Sequence, residues 1–197
     1  MNLPNKLTLF RIILVPIFIL LWVFPYSEFG ISFYVFDIGS TSLSVLNIIL
    51  LAVFLIASFT DYLDGHIARK HNLITTFGKF ADPIADKLLV NTTLVMLCAK
   101  GMLPVVPVVL MICRDTIVDG CRMIAAQNGI IVAAGMMGKL KTVLQMITIG
   151  FALINNIPFE LISLPMVTLL IWFTCLVSLA SGYGYYKQVS KFIMQSI

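Results

Sequence analysis

The sequence predicts an all-α, polytopic membrane protein with six transmembrane helices and both termini in the cytoplasm. Composition is the first reason for this prediction. Of 197 residues, 60% are hydrophobic and 11% are charged, and the mean hydropathy is +1.03. Soluble domains carry about 25% charged residues. Charge is therefore confined to a few positions, which is typical of a chain that crosses a bilayer several times.

Six apolar stretches are the second reason, because each is long enough to cross about 30 Å of hydrocarbon. They cover residues 8–25, 43–61, 81–99, 103–124, 139–156 and 163–184. Segments that contain proline, glycine or polar residues separate them. The sequence has no repeat and no linker, so residues 1–197 are expected to form a single membrane domain.

The distribution of basic residues orients these helices. In a six-helix arrangement, one side of the membrane receives Lys6, Arg11, Arg69, Lys70, Lys79, Lys139, Lys141, Lys187 and Lys191. The other side receives Glu28, Asp37 and Glu160, with Lys100 as its single basic residue. Because cytoplasmic loops carry the excess of Lys and Arg, both termini are expected in the cytoplasm. The expected location is the cell membrane, which in a bacterium is the cytoplasmic membrane.

The sequence argues against nucleic-acid binding and against cysteine-based disulfide or zinc sites. The sequence has no basic stripe with interleaved aromatic residues, which argues against nucleic acid as a partner. Four cysteines lie scattered in apolar stretches, without the spacing of a disulfide framework or a zinc site. They are Cys98, Cys113, Cys121 and Cys175.

Aspartates concentrate at one end of the second and third apolar stretches. Asp61 and Asp64 are three residues apart, and Asp82 and Asp86 are four apart, so each pair shares one helix face. The link over 70–77 is short enough to make the two helices antiparallel neighbours. Four carboxylates are therefore expected to converge near the cytoplasmic edge of the membrane, provided that the second helix continues beyond Asp61.

Such a cluster needs positive charge, since one aspartate at a bilayer centre costs about 2.5–3.5 kcal/mol on insertion scales. Carboxylate ligands without a cysteine or histidine cluster favour Mg²⁺ or Mn²⁺ over zinc. His66 lies off the aspartate face and His71 lies in the link, so neither is expected to be a ligand. The sequence therefore predicts a divalent-metal site held by aspartates.

Small residues accompany the aspartates. Gly65, Ala68 and Gly78 carry little bulk on the aspartate faces, which would let a phosphorylated ligand approach the backbone. Close helix packing through small residues is the structural alternative. Arg69 has planar donors suited to a phosphate, although an arginine that enforces topology is the alternative for it.

The aspartates, the small residues and Arg69 together match one specific pattern. The run Asp-x2-Asp-Gly-x2-Ala-Arg-x8-Gly-x3-Asp-x3-Asp is matched at every fixed position, by Asp61, Asp64, Gly65, Ala68, Arg69, Gly78, Asp82 and Asp86. It resembles the signature of the CDP-alcohol phosphotransferases, six-helix membrane enzymes of phospholipid synthesis. The resemblance implies a metal-dependent transferase, and it also suggests a homodimer.

The resemblance implies roles for individual residues. Asp61, Asp64 and Asp82 would hold one ion of Mg²⁺ or Mn²⁺, and Asp61, Asp82 and Asp86 a second. Asp86 would also be the catalytic base that takes the proton of the alcohol. Residues that would contact the cytidine diphosphate group are Gly65, Arg69 and Thr75.

The opening residues 2–11, followed by Pro16, resemble the bacterial phosphatidylglycerophosphate synthase branch of that family. This branch uses CDP-diacylglycerol and glycerol 3-phosphate and releases CMP. Asn5 and Thr8 would then lie near the nucleotide, and a capping turn before the first helix is the alternative.

A basic acceptor pocket is expected from the fourth and fifth helices. An anionic acceptor calls for cations to hold its phosphate, and the candidates are Arg114, Arg122, Lys139 and Lys141. Structural pairing of the arginines with Asp115 or Asp119 is the alternative.

Other functions are also compatible with the sequence. Within the family these are a phosphatidylinositol phosphate synthase and a cardiolipin synthase. Outside it, a divalent-metal transporter would explain the aspartates but would leave Gly65, Ala68, Arg69 and Gly78 without a purpose. A structural membrane subunit would not need four converging acids.

Overall fold

A computed structural model describes residues 2–39, 41–71, 73, 75–127, 135–160 and 162–195 of the chain. Within these ranges the side chains of residues 69, 79, 158 and 191–195 are not described. The contribution of Arg69 to the site therefore lies outside the described residues.

Six long helices form the described part of the protein, and each predicted apolar stretch falls on one of them. They are α1 (Leu3–Val23), α2 (Val45–Lys70), α3 (Thr76–Ala99), α4 (Val105–Gln127), α5 (Met136–Leu153) and α7 (Met166–Gln195). A single turn, α6 (Ile157–Glu160), precedes the last of them. The predicted helical architecture is thus confirmed.

The two helices that carry the aspartates extend beyond the apolar stretches. Helix α2 continues nine residues past Asp61 to Lys70, as the predicted aspartate face requires. Helix α3 begins at Thr76, five residues before the predicted stretch, because the Thr75 side chain caps it by accepting a hydrogen bond from the Gly78 backbone N–H. All four aspartates consequently stand on regular helix.

A short β-hairpin lies between α1 and α2, where the sequence expectations include no strand. Strands β1 (Val35–Ile38) and β2 (Thr41–Ser44) pair antiparallel, with Val35 opposite Ser44. A 3₁₀ turn over Tyr26–Phe29 precedes the hairpin. The two strands have only four residues each and show no strict alternation of apolar and polar residues, so periodicity does not mark them in the sequence.

One hydrophobic core joins all six long helices. Its fully buried members include Phe18, Phe54, Leu94, Met111, Ile149 and Ile171, one from each helix in chain order. Helix α1 packs along both α2 and α3, whereas α2 and α3 make fewer contacts with each other. Helix α7 packs along both α4 and α5. Helix α1 can therefore present side chains to the aspartates of two neighbours.

Among the described residues, three helices are long and apolar enough to cross a membrane, over Leu3–Val23, Val45–Ala68 and Met166–Ser190. Helices α3 and α4 each carry several charged residues in mid-sequence, and α5 begins with Lys139 and Lys141. These charges lower their mean hydropathy. Three spans are thus supported by length and composition, and the count of six stays a prediction.

Candidate active site

The aspartates on α2 differ in exposure. The Asp64 side chain is 2% exposed, while that of Asp61 is 33% exposed. On α3, Asp82 and Asp86 are both partly exposed. A carboxylate as buried as Asp64 requires a charged or hydrogen-bonding partner.

Helix α1 supplies that partner through Arg11, whose side chain is fully buried. One guanidinium nitrogen of Arg11 contacts Asp61 Oδ1, and the other lies 2.5 Å from Asp64 Oδ2. From the sequence, Arg11 was predicted only to contribute to membrane topology. Its role could have been read from its depth inside an apolar helix, because an intramembrane arginine needs an anionic partner.

Thr8 links the acids of α2 to Asp82 of α3 through its hydroxyl. Its hydroxyl donates to Asp82 Oδ1 at 2.5 Å and lies 3.3 Å from Asp64 Oδ2. Thr8 and Arg11 are three residues apart, so one face of α1 contacts acids on both neighbouring helices. The structure therefore brings Asp61, Asp64 and Asp82 together around two side chains of α1.

The donor set suits a hard divalent cation in type and charge. Three carboxylates against the single guanidinium of Arg11 leave a net charge of −2 around Thr8. Carboxylate and hydroxyl oxygens are the ligands that Mg²⁺ and Mn²⁺ prefer. As the side chains stand, no three acidic, histidine or cysteine residues in the described ranges are arranged to hold a metal. In this structure Arg11 and Thr8 instead contact the carboxylate oxygens of Asp61, Asp64 and Asp82.

Three of the residues predicted to bind CDP-diacylglycerol, Asn5, Thr75 and Gly78, meet at the start of α1 and α3. Thr75 Oγ1 donates to Asn5 Oδ1 at 2.9 Å. A Cβ added at Gly78 would lie 3.2 Å from Asn5 Oδ1 and 3.3 Å from Thr75 Oγ1, so glycine lets α1 approach α3 closely. Close helix packing, the structural alternative for the small residues, therefore applies to Gly78.

The capping alternative for Asn5 and Thr8 does not apply, because Asn2 caps α1 by accepting from the Asn5 N–H. Gly65 and Ala68 stand partly exposed on the last turns of α2, after Asp64.

A cavity of about 250 Å³ lies between α3 and the helices α4, α5 and α7. All four predicted acceptor residues line it, namely Arg114, Arg122, Lys139 and Lys141. Asp86 lines it as well, so this aspartate borders the basic cavity from α3. Pockets for drug-sized ligands measure about 300–1,000 Å³, and the volume here suits a smaller molecule.

Several cations of the cavity are also paired. Arg114 lies 2.9 Å from Asp115 Oδ1, and Lys141 contacts the other oxygen of Asp115. Structural pairing with Asp115, the alternative for Arg114, is thus observed. The side chain of Arg114 lines the cavity as well. Asp119 pairs with Lys87 of α3, which also lines the cavity and was not among the predicted site residues. Within the described ranges, Lys139 has no salt bridge.

Helix α7 also contributes to the cavity, through residues that sequence reasoning missed. Ser181 accepts a hydrogen bond from Arg114 at 2.8 Å, and the Tyr185 hydroxyl accepts one from Arg122 at 2.9 Å. Their spacing of four residues is the signal in the sequence, since it places both hydroxyls on one face of a helix.

Comparison with known proteins gives concordant results. A family model described as CDP-alcohol phosphatidyltransferase matches residues 1–180. A protein of Bacillus subtilis named CDP-diacylglycerol–glycerol-3-phosphate 3-phosphatidyltransferase is 42% identical over 187 residues, which cover 95% of this chain and 94% of the relative. A protein of the same name from Rickettsia felis is 34% identical over 97% of both chains.

These matches run through α1, the aspartate helices and the basic cavity. The residues of the signature at 61–86 all stand on the two helices whose acids contact α1. On the evidence of its sequence signature, its helical fold and its relatives, the chain belongs to the CDP-alcohol phosphatidyltransferase family.

Proposed function

We propose that this protein transfers the phosphatidyl group of CDP-diacylglycerol to glycerol 3-phosphate, giving phosphatidylglycerophosphate and CMP. The observation that carries the proposal is the basic cavity bordered by Asp86, because an acceptor that bears a phosphate calls for cations next to the reacting hydroxyl. The relatives named above support the same pair of substrates, since similarity extends over nearly the whole chain.

In the proposed reaction, a hydroxyl oxygen of glycerol 3-phosphate attacks the phosphorus that bears diacylglycerol. The new P–O bond forms as the bond to the CMP oxygen breaks, and CMP departs with the bonding electron pair. Asp86 takes the proton of the attacking hydroxyl, because it borders the cavity in which the acceptor would lie. Cations of the cavity hold the acceptor phosphate, and this contact orients the hydroxyl toward Asp86.

Two divalent ions, Mg²⁺ or Mn²⁺, are part of the proposal. Asp61, Asp64 and Asp82 would hold one and Asp61, Asp82 and Asp86 the other, and the ions would neutralise the diphosphate and the charge that develops on it. Asn5, Thr8, Gly65, Ala68, Arg69, Thr75 and Gly78 would form the site for CDP-diacylglycerol. A single membrane domain that associates as a homodimer completes the proposal.

Product analysis tests this function directly. Purified protein with CDP-diacylglycerol and Mg²⁺ is offered glycerol 3-phosphate, inositol phosphate or phosphatidylglycerol in separate reactions, and the lipid products are identified by mass. We expect phosphatidylglycerophosphate and equimolar CMP from the first reaction. A product only with inositol phosphate or phosphatidylglycerol would replace the proposal with the corresponding synthase. Metal uptake into sealed vesicles without lipid turnover would replace it with transport.

The proposed location is the cell membrane, with six spans, cytoplasmic termini and the active site facing the cytoplasm. In a cysteine-free background, a cysteine at Lys70 or Lys139 is expected to react with an impermeant reagent only from the cytoplasmic side. A cysteine at Glu160 is expected to react only from outside, because basic residues mark the cytoplasmic side. Labelling of intact cells and inverted vesicles measures this, and the reverse pattern would contradict the orientation.

A further inference from the structure

Helix α7 holds the two arginines of the cavity in a specific way. The hydroxyls of Ser181 and Tyr185 accept from Arg114 and Arg122, and both residues are buried, at 6% and 4% exposure. The guanidinium carbons lie 5.7 Å (Arg114) and 4.9 Å (Arg122) from the centre of the Tyr185 ring. One tyrosine ring therefore contacts both cations.

The backbone of α7 leaves room for this contact at Gly182. A Cβ added there would lie 2.9 Å from Arg114 Cγ, closer than real Cβ atoms approach, and 3.0 Å from Arg114 Nε. Glycine is therefore required if the Arg114 side chain is to lie against α7. We call Ser181, Gly182 and Tyr185 the arginine seat.

Tyr185 also joins the seat to α5. Its hydroxyl accepts from the Gly135 N–H at 3.0 Å, one residue before α5 begins. A Cβ at Gly138, which lines the cavity, would lie 3.4 Å from the same hydroxyl. Tyr185 thus contacts both the start of α5 and the arginines of α4.

The arginine seat differs from the ion pairs of the cavity because its contacts with the arginines are uncharged. A hydroxyl and an aromatic ring orient a guanidinium without neutralising it, whereas Asp115 cancels part of the charge of Arg114. A guanidinium has five N–H donors, and in the described residues the side chain of Arg122 uses one of them, on Tyr185. The hydrogen bond to Tyr185 therefore leaves the positive charge of Arg122 intact for an anionic ligand.

We propose that Tyr185 is a positioning residue that orients Arg114 and Arg122 toward the phosphate of the acceptor, and that Gly182 makes this orientation possible. The inference rests on the proposed function and adds a specificity determinant to it. The family match ends at residue 180, before the seat begins.

Tyrosine variants test the proposal by steady-state kinetics with both substrates. Tyr185→Phe keeps the ring and removes the hydroxyl, and we expect the KM for glycerol 3-phosphate to rise about tenfold, the effect of one hydrogen bond to a charged group. Tyr185→Leu also removes the ring and is expected to raise it further. The KM for CDP-diacylglycerol should stay within about twofold of wild type, since only the orientation of the arginines changes. Tyr183→Phe, at a tyrosine 69% exposed on the same helix, is the matched control and should change neither constant.

Glycine variants provide an independent test that leaves Tyr185 intact. Gly182→Ala should raise the KM for glycerol 3-phosphate by displacing Arg114. Gly184→Ala should not, because among the described residues no atom beyond the adjoining helix backbone lies within 4 Å of the added Cβ.

Unchanged KM values for glycerol 3-phosphate in Tyr185→Phe, Tyr185→Leu and Gly182→Ala would overturn the proposal, as would equal changes for both substrates. If wild-type protein makes no phosphatidylglycerophosphate, the proposed function fails first. If it does and the variants behave as wild type, only the role of the seat fails.

Discussion

Asp86→Asn is expected to lower kcat by at least about a hundredfold, the low end for loss of a general base. Asparagine keeps the size of the side chain and one oxygen, but it cannot take a proton from the acceptor hydroxyl. Because Asp86 borders the acceptor cavity, the loss should fall on the chemical step. Binding of CDP-diacylglycerol should be largely retained. Single-turnover rates and equilibrium binding of CDP-diacylglycerol measure the two effects separately.

Two further variants make this result interpretable. Asp61→Asn should instead weaken CDP-diacylglycerol binding, because Asp61 belongs to both proposed metal sites. Asp37→Asn, at an exposed residue of β1, should leave both quantities unchanged. Near wild-type turnover by Asp86→Asn would show that another group takes the proton.

Arg11→Met is expected to cost about 3–5 kcal/mol of folding free energy in protein stripped of divalent metal, the usual effect of removing one partner from a buried ion pair. The variant leaves Asp64, at 2% exposure, without its guanidinium partner, and it removes the only cation that contacts Asp61 in the described residues. Thermal unfolding in detergent with a chelator measures the loss.

Metal should reverse much of this defect, because a divalent ion restores positive charge among the carboxylates and a bound ligand stabilises the folded state. We therefore expect Mn²⁺ to raise the Tm of Arg11→Met more than that of wild type. Lys6→Met, at an exposed position of the same helix, is the control and should behave as wild type. Equal Tm values for Arg11→Met and wild type in chelator would contradict the assigned role of Arg11.

The helical scaffold was predictable from the sequence, and so were the faces of α2 and α3 that carry the aspartates. Apolar stretches and i, i+3 or i+4 spacing are local properties of the chain. The sequence also predicted a cavity with four cations, since the lining residues share faces of α4 and α5. That these residues bind metal, CDP-diacylglycerol or the acceptor phosphate stays a prediction.

Contacts between distant helices were not predictable in the same way. Arg11 contacts acids 50 and 53 residues away, and Tyr185 contacts Arg122 across 63 residues. Such pairs depend on which helices pack together, and α1 was expected beside neither α2 nor α3 in particular. The β-hairpin was missed because strands of four residues carry little periodicity.

We propose above all that the cavity beside Asp86 recognises the phosphate of the acceptor. The most direct test of this claim is the ratio of kcat/KM for glycerol 3-phosphate to kcat/KM for glycerol. Two hydrogen bonds between charged groups, at about 1.5 kcal/mol each, predict a ratio of at least about a hundred in wild-type protein. Lys139→Gln should lower this ratio about tenfold, whereas Lys187→Gln, at an exposed lysine of α7 outside the cavity, should leave it unchanged. Equal use of glycerol and glycerol 3-phosphate by the wild-type protein would contradict the claim.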